Sequence, residues 1–255
     1  MKNKILKNKK ILVALIVVLG LAIYLYLAHF SIYYKLGHTD LRPTDRHIDY
    51  TITSSQENSV DFIYVALGDS LASGVGVDKY EDSYPYLLAE KIAAASDKTI
   101  SLKNFSFPGA KTSQVISNQL SQAISAEPDM ITILIGTNDV HGNISLDKFK
   151  KNYDYILEKL TTTTKAEIYI LGLPNIGTDK LLWPPYNYYF RQKTSDYNTI
   201  IKELADKYNL VYIDLEKVTL EEFNKDNKYY ASDLFHPSAL GYDIWAQIIY
   251  GNIYK

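Results

Sequence analysis

Residues 62–71 read Phe-Ile-Tyr-Val-Ala-Leu-Gly-Asp-Ser-Leu: six apolar residues run straight into a glycine, an acid and a serine. A short unbroken apolar run closed by turn-forming residues is the pattern of a strand buried on both faces, as in a parallel sheet. Four further runs follow, over 100–105, over 130–135 ahead of Gly136, over 167–171 ahead of Gly172 and Pro174, and over 210–213. Between them the spacing turns helical. Asp82 and Ser83, an N-cap pair ahead of an early Pro85, open a helix with Tyr84, Leu87, Leu88 and Ile92 at helical intervals. Helices are also expected over 112–124, over 146–160 with Phe149, Tyr153, Ile156 and Leu160 on one face, and over 190–208. A last helix should start near Ser238, with Leu240, Ile244 and Ile248 along one stripe. Strands joined by helical crossovers predict an α/β domain: a five-stranded parallel sheet, helices on both faces, and chemistry outside the carboxyl ends of the strands.

Upstream of the first strand the sequence changes kind. Residues 1–10 hold five lysines (Lys2, Lys4, Lys7, Lys9, Lys10) and no acid, and residues 11–28, ILVALIVVLGLAIYLYLA, hold no charge. Continued to Phe30, the run reaches the roughly 20 residues that a helix needs to cross a bilayer. Tyr24, Tyr26, Tyr33 and Tyr34 gather toward its far end, where amphipathic rings favour the interface. The positive-inside rule keeps the lysines cytoplasmic and sends the remainder outside a bacterial-type cell membrane. A cleaved signal peptide is the competing reading, but the cleavage site would place the large Tyr26 two residues before Ala28, where a small residue is needed. The expected organisation is a basic cytoplasmic segment 1–10, a transmembrane signal anchor 11–30, a polar extracellular tether 31–61 and a globular domain 62–255. Pro43 interrupts any helix in the tether, and 47–53 (HIDYTIT) suits a short edge strand.

Composition removes several classes of function. The chain has 255 residues, 22% of them charged and 47% hydrophobic, which suits a packed core rather than disorder. It has no cysteine, so thiol nucleophiles, disulfide frameworks, iron–sulfur clusters and Cys-ligated zinc are out. With the five lysines of residues 1–10 set aside, 22 basic groups face 29 acidic ones, a balance of −7. No nucleic-acid partner is expected, because phosphate contacts need clustered Lys and Arg. Residues 68–76 (GDSLASGVG) contain glycines but lack the G-x-G-x-x-G order and the lysine of a P-loop. No metal, nucleotide, flavin or other cofactor is implied.

Four strand ends and loops carry residues with chemical potential. Ser70, on the turn after the first strand, presents a hydroxyl at the sheet's edge, although Gly-Asp-Ser is also ordinary turn chemistry. Gly109, after the second strand, lets a backbone N–H approach a ligand closely, or is simply a loop glycine. Asn138, after the third, can aim a side-chain NH₂ at developing negative charge, or belong to a turn or cap. Near the C-terminus, Asp233-Leu-Phe-His236 offers a base and a carboxylate three residues apart. Serine needs a base to take its proton, histidine titrates near neutrality, and a carboxylate on its other nitrogen fixes the tautomer. The alternative is a capping Asp and an unrelated His. His29, His38 and His47 lie in the anchor or tether, which leaves His141, two residues beyond Asp139, as the second candidate base.

Taken in order, Gly68-Asp69-Ser70-Leu71, Gly109, Gly136-Thr137-Asn138-Asp139 and Asp233-Leu234-Phe235-His236 resemble the blocks of the SGNH (GDSL) hydrolase family. The resemblance runs from about Phe62 to the C-terminus and leaves out the anchor and tether. It implies a three-layer α/β/α sandwich, flavodoxin-like, and metal-independent ester hydrolysis. It implies Ser70 as nucleophile, His236 as general base and acid, and Asp233 as the group orienting His236. The implied oxyanion hole is the Ser70 and Gly109 backbone N–H groups with the Asn138 side chain. The α/β-hydrolase elbow G-x-S-x-G fits less well, because residue 72 is alanine.

The leading expectation is a serine esterase or acylhydrolase acting on lipid or small acyl esters. Deacetylation of cell-wall glycans and acyl transfer to a sugar hydroxyl are the enzymatic alternatives, and a non-catalytic surface binder is the alternative from another class. Residues 181–190 (LLWPPYNYYF) follow the fourth strand and read either as an acyl-binding wall or lid, or as a loop packed on its own domain.

Overall fold

A computed structural model describes residues 2–38, 49–53, 61–96, 98–176, 178–179 and 181–254. Helix α1 (Lys2–His38) precedes strands β1 (Asp49–Ile52) and β2 (Asp61–Gly68), and α2 (Tyr84–Ser96) leads to β3 (Thr99–Asn104). Next come α3 (Thr112–Gln114), a π-helical turn (Val115–Gln119), α4 (Leu120–Ser125), β4 (Met130–Leu134), α5 (Thr137–His141), α6 (Leu146–Thr163) and β5 (Glu167–Leu171). The chain ends with α7 (Tyr186–Lys207), β6 (Val211–Ile213), α8 (Leu215–Glu221) and α9 (Ala239–Ile253).

The sheet order is β1-β3-β2-β4-β5-β6. The five expected strands, β2 to β6, pair in parallel, and β1 joins as an antiparallel edge on β3 with Ile52 opposite Ile100. From β2 the chain steps one way to β3 through α2, then back across β2 to β4 through α3 and α4. Right-handed crossovers in opposite directions put their helices on opposite faces. Accordingly α2 packs with α9, while α6 packs with α4 and α7. The three-layer α/β/α architecture follows.

Two parts of the expected tether over 31–61 have regular structure. Helix α1 continues to His38, and Asp49–Ile52 belongs to the sheet. Tyr50 gives the strand its hold: its ring stacks on Tyr80 at 4.5 Å and meets Tyr86 edge-on at 5.7 Å. Pro43, His47 and the rest of residues 39–48 and 54–60 lie outside the described residues. Within α1, Lys7–Ile32 is long and apolar enough to cross a membrane, and its large apolar side chains from Ile11 to Leu19 are each at least 50% exposed.

Phe149, Tyr153, Ile156 and Leu160 are all buried on the inner face of α6, whose N-cap Ser145 accepts from Lys148 N. Two expectations need correction. Ser83 has the extended backbone of an N-cap, and its carbonyl accepts from Leu87 N at 3.0 Å. Its buried hydroxyl, however, has no hydrogen-bond partner among the described residues, and Asp82 closes a 3₁₀ turn that drives Tyr80 into the core. On α9 the buried face is Gly241, Tyr242, Trp245, Ala246 and Ile249 rather than the Leu240, Ile244, Ile248 stripe, and Leu240 is 54% exposed. The larger rings decide the rotation. Trp245 stacks on Phe223 at 6.0 Å and meets Tyr84 at 6.4 Å, and the Tyr242 hydroxyl donates to Val75 O at 2.7 Å. Aromatic side chains bury more area than leucine or isoleucine, so the helix turns them inward. Trp245→Ala should therefore cost about 3–5 kcal/mol, and Leu240→Ala within about 0.5 kcal/mol of nothing. Thermal unfolding of the two detergent-solubilised variants checks this, and equal losses would contradict the assigned face.

Candidate active site

The carboxyl end of β2 is shaped by a close backbone approach. A Cβ on Gly68 would sit 2.3 Å from Leu134 O and 2.8 Å from the Ala72 Cβ, so only glycine fits there. The Gln119 side chain grips this residue from both sides: its Oε1 accepts from Gly68 N at 3.0 Å and its Nε2 donates to Gly68 O at 2.8 Å. The chain then turns sharply. Asp69 Oδ1 accepts from Leu71 N at 3.0 Å, Ser73 N donates to Asp69 O, and Val75 N donates to Ser70 O. Ser70 is left 9% exposed at the sheet edge.

At the end of β3, Asn104 ties two loops together. Its Nδ2 donates to Ala72 O at 2.7 Å and contacts the Tyr80 hydroxyl. Its Oδ1 accepts from Ser106 N at 3.0 Å and from the Ser106 hydroxyl. The loop so held carries Gly109, exposed and left-handed at φ 81°. At the end of β4, Asn138 lies in the first turn of α5. Its Nδ2 donates to Ala110 O at 3.1 Å and reaches toward Asp69 Oδ2 at 3.4 Å. Next to it, buried Asp139 accepts from Thr112 N at 2.9 Å and from the Thr112 hydroxyl at 2.6 Å. Asn138 therefore bridges the loops after β2 and β3, and Asp139 pins its helix to the start of α3.

The last loop supplies the imidazole. Asp233 Oδ1 accepts from Phe235 N at 2.9 Å and His236 N at 3.0 Å, and Oδ2 bonds His236 Nδ1 at 2.6 Å. Leu234 takes a left-handed conformation, φ 59°, to make the bend. His236 Nε2 lies 3.0 Å from Ser70 Oγ. Ser70, His236 and Asp233 thus form one continuous hydrogen-bond chain. Two contacts hold the halves in register. Gly76 packs so closely on the loop that a Cβ would meet Pro237 O at 2.2 Å, and Tyr242 reaches Val75 O.

The electrostatics separate the carboxylates. Burial raises Asp233, but the His236 bond and charge and two backbone N–H groups outweigh it, so its carboxyl titrates below the usual range. Burial pushes Asp69 up to about 7, against the Leu71 N–H and with the Asp139 charge adding to the rise. His141, the second candidate base, stands outside the chain. Its ring sits between Phe190 (5.0 Å) and Phe235 (5.4 Å), its buried Nε2 has no hydrogen-bond partner among the described residues, and burial plus the Lys193 charge lower it to about 4. Residues 181–190 split: the last five form the first turns of α7, with Leu181 and Leu182 buried and Trp183, Tyr188 and Tyr189 exposed. Gln119 and Asn104 escaped the sequence reading. Asn104 sits at a strand end, where a polar residue two before Ser106 hints at a turn, but Gln119 has no local signal at all.

Residues 66–244 match the GDSL-like Lipase/Acylhydrolase family. The spore germination lipase LipC of Bacillus licheniformis is 26% identical over 209 residues, 72% of this chain and 92% of that protein. A lipase/acylhydrolase from Enterococcus faecalis has a similar structure at TM-score 0.58 and 20% identity, covering 75% of this chain and 95% of that one. An acetylxylan esterase from Geobacillus stearothermophilus does so at TM-score 0.61 and 18% identity, covering 80% and 96%. With the family match spanning well over half of its length, the chain belongs to the GDSL-like lipase/acylhydrolase family, the GDSL/SGNH hydrolases.

Proposed function

We propose that this hydrolase is a membrane-anchored extracellular serine esterase that cleaves carboxylic esters through Ser70, His236 and Asp233. The observation that carries the reading is the chain from Ser70 Oγ to His236 Nε2 at 3.0 Å and from Nδ1 to Asp233 at 2.6 Å. Asp233, ionised, holds the tautomer with the proton on Nδ1, so Nε2 accepts from the serine. Ser70 attacks the ester carbonyl carbon while His236 takes its proton, and the carbonyl oxygen becomes an oxyanion. The imidazolium then protonates the departing alcohol, leaving an acyl-serine. Water attacks the acyl-serine with its proton passing to His236, and the acid leaves as Ser70 regains a proton.

The oxyanion falls to the Ser70 N–H, the Gly109 N–H and Asn138 Nδ2. The Ala110 bond sets the Asn138 amide plane, and the longer 3.4 Å approach to Asp69 is the one an oxyanion replaces. A full charge on Asp69 beside that hole would oppose the oxyanion. The raised titration of Asp69 lessens this conflict, because burial keeps the proton on for longer.

Lysines among residues 1–10 and the exposed apolar helix behind them support an uncleaved anchor with the domain outside. An acyl ester of a lipid or small acid is the favoured substrate, in keeping with the lipase LipC. The acetylxylan esterase fold neighbour keeps glycan deacetylation as the second reading, with acyl transfer as its variant.

Ser70→Ala should abolish labelling by a fluorophosphonate probe and lower nitrophenyl ester hydrolysis by about 10³-fold or more. A series from acetyl to long acyl chains separates the readings, since an acetyl preference favours glycan deacetylation and a longer one favours lipid. Persistent labelling of Ser70→Ala would remove the nucleophile assignment. Asn138→Ala should reduce kcat about 10²–10³-fold while the protein still folds, and normal turnover would exclude it from the oxyanion hole. For Asp69, the unfolded chain releases its proton near the ordinary carboxyl value and the folded chain near 7. Its folded pKa is raised, so its contribution to stability falls as pH rises across that window. Melting temperatures measured from pH 4 to 7 should show this loss in the parent, and Asp69→Asn should flatten it.

A further inference from the structure

The outer end of α1 does not hang free of the domain. Ala28 and Ile32, one turn apart, are buried, and Ile32 belongs to the core cluster. The Tyr24 ring stacks on Trp183 at 6.2 Å and its hydroxyl donates to Pro184 O at 2.8 Å, while His29 tilts over Tyr186 at 6.1 Å. These contacts fix the height of the domain above a membrane. No Asp, Glu, Lys or Arg occurs between Lys10 and Lys35. Tyr24 comes fourteen residues after Lys10, which is about 21 Å along a helix rising ~1.5 Å per residue. The hydrocarbon layer is ~30 Å thick. With Lys10 at the cytoplasmic face, Tyr24 has not yet left that layer, and Trp183 and Pro184 beside it are held at membrane depth.

The segment so held is built for an interface. Trp183, Tyr188 and Tyr189 are 41%, 64% and 53% exposed, and Tyr26, Phe30 and Tyr34 stand exposed in a file of ring contacts along α1. Trp and Tyr favour the headgroup level, where one end of the ring is apolar and the other wet. The same segment adjoins the ester site. Thr178 N donates to Leu234 O at 3.2 Å, and rings run from Phe190 through His141 and Phe235 to His236, the last pair 4.9 Å apart.

We infer that residues 183–189 form a rim seated in the outer leaflet of the bilayer, and that the ester hydrolysed is carried by a lipid of that leaflet. The inference rests on the anchored-esterase reading and names the source of its substrate. The ring contacts from Phe190 to His236 put the catalytic loop against the helix that carries this rim.

The chain contains two tryptophans, and Trp245 is buried in the core, so Trp183 is a built-in depth probe. The full chain is reconstituted in phosphatidylglycerol–phosphatidylcholine vesicles whose lipids are brominated either near the headgroup end or near the tip of the acyl chain. Bromine at one or both positions should quench the Trp183 emission, the stronger of the two reading its depth in the leaflet, and Trp183→Phe should be insensitive. Unquenched Trp183 in protein that floats with the vesicles overturns the rim. Protein that fails to float removes the anchor, and the inference with it. Because quenching needs no turnover, failure of the esterase chemistry is read separately, from the fluorophosphonate probe. For the substrate, Tyr188→Ser/Tyr189→Ser should lower the ratio of vesicle phosphatidylglycerol hydrolysis to nitrophenyl acetate hydrolysis severalfold. An unchanged ratio overturns the leaflet as source.

Discussion

Both backbone groups of Gly68 are taken by one side-chain amide, that of Gln119, and most of the site depends on that grip. A strand that ends inside a domain leaves N–H and C=O groups that must find partners, since each buried orphan costs about 1–3 kcal/mol. Gln119 supplies both at once, and the missing Cβ of Gly68 lets β2 lie against Leu134 of β4. The strand therefore stops at a defined residue and the turn carrying Ser70 begins at a defined height. Gln119 closes the π-helical turn between α3 and α4, where the extra residue changes the phase at which side chains leave the helix. Such turns are frequent at functional sites, and here the widened turn ends on the residue that holds the strand leading to Ser70.

Around that grip the site is assembled from polar side chains that bond to the backbone of neighbouring loops as well as to one another. Asn104 holds the Ala72 carbonyl and the Ser106 amide, Asn138 holds the Ala110 carbonyl, and Asp139 holds the Thr112 amide. The bonds to Ala72, Ala110 and Thr112 each join two different strand-end loops, and the Ser106 bond tightens the loop after β3. A fully satisfied polar network in a low-dielectric setting is rigid, because breaking one bond leaves a desolvated group behind. Rigidity is what an oxyanion site requires: its donors must already point at the charge before it forms.

How much of this could be read from the chain depends on the range of the interaction. The five parallel strands were legible because short apolar runs, three of them closed by glycine, are local signals, and Ser70, Asn138 and Asp233–His236 because strand ends and a three-residue spacing are local too. The face of α9 was not. Leu240, Ile244 and Ile248 keep helical spacing as well as Tyr242, Trp245 and Ile249 do, and only the Phe223 and Tyr84 rings, distant in sequence, decide between them. Gln119 looks like any polar residue on a helix until Gly68 is beside it. The Tyr24–Trp183 contact joins residues whose pairing no periodicity announces.

The two halves of the hydrogen-bond chain show the same division between local and long-range control. Asp233 and His236 come from one turn, so a single carboxylate can satisfy two backbone N–H groups and the imidazole together. That half needs little help from the rest of the fold. Ser70 lies 166 residues away from His236 in the chain, and a 3.0 Å bond between them tolerates almost no slippage. The register is set by packing against the serine's own turn: Val75 accepts from Tyr242 on α9, and Gly76 leaves just the space that Pro237 fills. A side chain at position 76 would push the His236 loop outward while leaving its internal bonds whole. The imidazole would then remain well oriented by Asp233 and still be out of reach of the Ser70 hydroxyl, so in the proposed mechanism shape at Gly76 matters as much as acid–base chemistry.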